Sequence, residues 1–97
     1  MNLNRDTEYL LKYVSNECYK KVLNNNEDYI LESLVDNRVD VDLNIRYLIK
    51  LGVKNIDRIV SERLDDLLLP NVEFESKMHD YEKKLGKDAL IEMLDNS

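Results

Sequence analysis

The chain holds one thiol, Cys18, and one imidazole, His79. A thiol becomes a catalytic nucleophile only with a base at hydrogen-bond distance and a third group that orients the base. Apolar periodicity puts these two residues on different helices. Cys18 falls in the middle of an apolar stripe, where a thiol behaves as a small inert hydrophobe. Glu75, His79 and Glu82 stand at i, i+4 and i+7 of one helix and project from one side. Carboxylate and imidazole are ordinary metal ligands, but di-metal helical bundles need a glutamate three residues before the histidine and a second copy of the pair. Ser76 holds that position and no second copy exists, so the stripe reads as a solvated flank. Asp40-x-Asp42-x-Asn44 opens like a calcium loop, yet Ile45 and Leu51 occupy the places that require glycine and a bidentate glutamate. The residues therefore predict no catalytic group, no metal and no cofactor.

Phosphate chemistry is equally poorly supplied. Glycines occur only at 52 and 86, so no glycine-rich phosphate cradle can form. Residues 48–56 resemble a helix-hairpin-helix turn, but the second glycine of that motif is missing. Lys50, Lys54, Arg58 and Arg63 could give residues 50–63 a local positive charge for DNA or RNA. Asp57, Glu62, Asp65 and Asp66 are interleaved with them and largely cancel it. Across the chain 14 basic and 20 acidic residues leave a net charge of −6 and a pI near 4.7, with the excess spread over both halves. Direct contact with nucleic acid through residues 50–63 is thus the second reading, and an anionic membrane is disfavoured.

The first reading is a protein-binding module. Tyrosine is common at interfaces because its ring buries a large area while its hydroxyl still finds a partner. Tyr9, Tyr13 and Tyr19 lie on the back of the first predicted helix, opposite its apolar stripe, and form the expected contact face. Asp57, Asp65 and Asp66 form a second candidate surface, suited to a basic partner such as a nucleic-acid-binding protein whose site could be blocked. The expectation is an acidic, non-enzymatic adaptor or inhibitor that docks on another protein, with a homodimer as a further possibility. A lone cysteine, no apolar leader core and no apolar run beyond Leu67-Leu68-Leu69 suit the cytoplasm. Eleven asparagines point to AT-rich coding DNA, of the kind found in low-GC bacteria and their phages or mobile elements.

These residues need elements to position them, and every predicted element is helical. Ninety-seven residues fit one domain, residues 1–97. Two glycines and one proline are too few for the turns of an all-β fold. Leu3, Thr7, Leu10, Leu11, Val14, Cys18 and Val22 recur at helical spacing and predict one helix over residues 5–23, capped by Asn4. A second covers about 27–37, after Asn26. Val39-Asp40-Val41-Asp42 alternates like a strand but has no partner, so it reads as an extended connector whose aspartates cap the next helix. Residues 43–51 predict a central helix, apolar on both sides and ended by Gly52. One or two helices then run from 55 to Pro70, breaking near Ser61. A helix over 71–85 ends at Gly86, and a last one spans about 88–95. The fold class is all-α, a compact bundle of five to six short helices.

Overall fold

The computed structural model describes residues 6–96. A 3₁₀ turn, Glu8–Lys12, leads into seven α-helices: α1 Asn16–Asn25, α2 Asp28–Asp36, α3 Arg38–Leu51, α4 Ile56–Glu62, α5 Leu64–Leu67, α6 Asn71–Leu85 and α7 Lys87–Asn96. No strand occurs among the described residues. The all-α compact bundle is what the sequence predicts, with more and shorter helices than expected. Among the described residues no helix is long and apolar enough to cross a membrane.

Two boundaries differ for a tertiary reason. The first predicted helix is broken at Tyr13–Ser15, because Asp57 of α4 grips Ser15. Its carboxylate accepts from the Ser15 N–H at 3.1 Å and from the hydroxyl at 2.8 Å. Ser15 Oγ in turn accepts from Cys18 N at 3.2 Å, capping α1. The expected cap Asn4, with Leu3, lies outside the described residues. The expected connector at 39–42 is instead the first turn of α3. Its aspartates cap or bond across the fold: Asp40 accepts from Asn71 N at 3.1 Å, at the start of α6, and Asp42 accepts from Tyr13 and Lys12.

Other ends follow backbone chemistry. Gly52, at φ 117°, closes α3 with bonds from Gly52 N to Ile49 O and from Val53 N to Leu48 O, the paired pattern that a left-handed residue permits. The helix after Pro70 begins at Asn71 and stops before Gly86, as predicted. The break between α4 and α5 falls at Arg63, two residues beyond Ser61.

α3 packs against α2, α4, α5 and α6 and is the centre of the bundle. Val41, Ile45 and Leu48 face a core that includes Leu10, Leu34, Leu67, Phe74 and Leu90, all buried. It is not buried all round, since Leu43 and Ile49 reach solvent. Asn44 is the polar exception inside. Its amide nitrogen donates to Leu67 O and Leu69 O at 3.0 and 2.9 Å, and its oxygen accepts from Asn71 Nδ2 at 3.0 Å. That network fixes the α5–α6 corner onto α3.

Candidate functional site

Breaking the first helix scatters the three tyrosines expected to share a face. Tyr19 is buried, and its hydroxyl pairs with Thr7 Oγ1 at 2.8 Å. It therefore contributes to the core and not to a contact surface, a correction to the sequence reading. Tyr9 is half-buried and donates to Leu34 O at 2.7 Å. Burial holds its phenol far above the ordinary range, so it stays a donor. Tyr13, also half-buried, donates to Asp42, while Arg46 Nε donates to the Tyr13 oxygen at 3.1 Å. Asp42 completes this cluster with Lys12 and Arg46, at 3.3 and 3.1 Å. Partial burial pushes its carboxyl up, but the bonds from Tyr13 and Lys12 and the charges of Lys12 and Arg46 outweigh burial and hold it low. The tyrosine hydroxyls thus fasten the N-terminal segment to α2 and α3.

Two of the three acidic candidates, Asp57 and Asp66, are also engaged, and they lie on different helices. Asp57 holds Ser15. Asp66 accepts from Lys77 of α6 at 2.7 Å and pairs with Arg63 at 3.8 Å; Asp65 is exposed. The basic side chains of residues 50–63 are partly spent too. Arg58 binds Glu62 at 2.7 Å and the Asp95 carbonyl at 3.2 Å.

Cys18 and His79 have no partner in common. Cys18 Sγ lies 3.2 Å from Asp57 O and 3.3 Å from Ser61 Oγ, and burial raises its pKa, so the thiol form is favoured. It floors a hollow of about 340 Å³ between α1 and α4, whose charged lining includes Lys21, Asp57, Arg58 and Glu62. His79 is exposed on α6, its ring 6.0 Å from that of Tyr47. Among the described residues no three His, Cys, Asp or Glu side chains gather as a metal site.

Comparison with known protein families, with curated proteins and with solved structures returned no match for this chain. The site therefore rests on its own chemistry.

Two surfaces stand out that the sequence reading passed over. On α2, Asp28, Glu32 and Asp36 recur at four-residue steps, with Tyr29 inside the same arc and 63% exposed. Glu27 precedes them, and no lysine or arginine occurs between Lys21 and Arg38. None of the four carboxylates joins an ion pair among the described residues. The signal was present in the sequence as a base-free run. Its exposure was not, because α2 could have turned either flank inward. The second surface is the outer edge of the seam between α3 and α6, where Val39, Leu43 and Val72 are 68%, 42% and 81% exposed.

Proposed function

We propose that this chain is a non-enzymatic acidic docking domain, an adaptor or inhibitor that engages a basic surface of another protein through α2. The observation that carries this reading is the unpaired stripe of Asp28, Glu32 and Asp36 around an exposed Tyr29. Like charges one turn apart repel and destabilise an isolated helix by about 0.2–0.5 kcal/mol per pair. A fold that keeps them unneutralised leaves them free for a cationic partner. Complementary charge accelerates encounter and selects the partner, and an exposed tyrosine supplies an anchor that buries well. The basic site of a nucleic-acid-binding protein is one such surface. A cytoplasmic setting suits the single buried thiol.

Capture from host lysate, with and without nuclease, tests the proposal when wild type is compared with Glu32→Lys/Asp36→Lys and with Tyr29→Ala. A stoichiometric protein that survives nuclease, is lost with the charge reversal and is retained about tenfold less well by Tyr29→Ala is expected, a loss of about 1.4 kcal/mol. Recovery of nucleic acid alone, or equal capture by the charge-reversed variant, overturns it. Nucleic acid alone would shift attention to Lys50, Lys54, Arg58 and Arg63.

A further inference from the structure

The seam between α3 and α6 is an edge where apolar side chains stand exposed among the described residues. The two helices run side by side in the same direction, as five pairings in order along them show. Asp40 and Asn44 bond Asn71 at 3.1 and 3.0 Å, the Tyr47 ring meets Phe74 at 6.1 Å and His79 at 6.0 Å, and Lys50 and Glu82 rim one hollow of about 200 Å³. On the solvent side of that line stand Val39 and Leu43 from α3 and Val72 from α6, three of the seven large apolar side chains that are exposed among the described residues. Isolated exposed apolar residues need no explanation, but a cluster on one edge marks a contact.

The charges along the edge say what covers it. On α3 the rim offers Lys50, since Arg46 beside it is held by its own Asp42; on α6 it offers Glu75 and Glu82, with Lys83 and Lys87 lining the same hollows. The helices are parallel, so a two-fold axis along the seam lays α3 of one copy over α6 of the other at the same level. Lys50 then meets Glu82 of the partner copy, and Leu43 lies over Val72 of the partner copy. Both contacts are repeated by symmetry, as an isologous interface requires. The α2 face could not pair with itself in this way, because it would set carboxylates against carboxylates.

We propose that a second copy of this chain covers the α3–α6 seam, forming a parallel two-fold dimer through Val39, Leu43 and Val72 with reciprocal Lys50–Glu82 pairs. With three apolar side chains and one reciprocal ion pair at its centre, the contact is built on few anchors, and the dimer is a weak one, with a Kd on the order of 10–100 µM. The acidic face of α2 stays outside the contact, so the dimer would present two such faces. Failure of this proposal would leave the docking reading intact, and the reverse also holds.

Sedimentation velocity from about 10 µM to 1 mM, spanning the Kd range set by the affinity scale, tests it on the whole chain. Wild type should shift from monomer to dimer, and Val72→Asp should raise the dissociation constant at least about tenfold. The deciding variants are Lys50→Glu and Glu82→Lys, both at solvent-accessible positions and checked for retained helicity by circular dichroism. Each alone should be monomeric where wild type dimerises, and an equal mixture should form a 1:1 heterodimer, because both cross-contacts are then of opposite sign. Contacts within one copy cannot produce that rescue. A monomeric wild type at the highest concentration, or two single variants that stay monomeric when mixed, overturns the proposal.

Discussion

At the scale of single residues, the side chains that sequence reading assigned to recognition are largely occupied with holding the fold. Asp42 is the clearest case, because its carboxylate takes Tyr13, Lys12 and Arg46 at once. Its folded pKa is depressed. The stability it adds is therefore fully present above the unfolded value of about 3.9 and is lost as pH falls through the lower folded value. Tyr13→Phe should cost about 1–2 kcal/mol at neutral pH, the range of a hydrogen bond to a charged acceptor. Urea melts at pH 7 and pH 3 check this; a penalty that does not shrink at the lower pH would show that Asp42 is not the acceptor that matters. Asn44→Ala should be costlier, at about 2–4 kcal/mol, since it strips buried carbonyls of their donor and opens a cavity. Exposed Asp65→Asn is the control and should leave the midpoint unchanged within about 0.5 kcal/mol.

At the scale of elements, legibility followed the source of each boundary. The helix Asn71–Leu85 was readable to the residue because Pro70 and Gly86 restrict the backbone whatever surrounds them. The start of α3 was not. Val39-Asp40-Val41-Asp42 satisfies a period of two, and what makes it helical is an α6 N–H for Asp40 and a tyrosine hydroxyl for Asp42, both far away in sequence. The contact face suffered the same limit. Tyr9, Tyr13 and Tyr19 could be placed opposite an apolar stripe, but only packing decides whether that side meets solvent. Gly52 belongs to the same scale. At φ 117° a Cβ is strained, and here it would also stand 3.2 Å from Ile91 Cδ1. Gly52→Ala should lower stability by about 1–2 kcal/mol and loosen the approach of α7, read as faster amide exchange at residues 90–94.

For the whole molecule, a net charge of −6 sets the long-range field, and the unpaired carboxylates of α2 give it a direction. That combination implies opposed responses to one substitution. Glu32→Lys interrupts a run of like charges and should raise thermal stability by a few tenths of a kcal/mol. It should also slow association with a basic partner, most at low salt, where the Debye length is about 30 Å at 0.01 M and steering reaches furthest. Calorimetry and stopped-flow association on the same preparation would read both; stability and association rate moving together would remove α2 from the binding surface.

The sulfur of Cys18 has a use beyond packing. As the chain's only thiol, 4% exposed at the floor of the hollow between α1 and α4, it should react quickly with a soluble alkylating reagent when that interface opens and slowly otherwise. Its labelling rate is thus an internal clock for that motion. Each ~1.4 kcal/mol taken from the closed state speeds the clock tenfold. Asp57→Ala, which releases Ser15 from α4, should quicken it on its own account. Asn44→Ala should do so equally only if the bundle opens as one cooperative unit, so the ratio of the two rates tells local breathing from global unfolding.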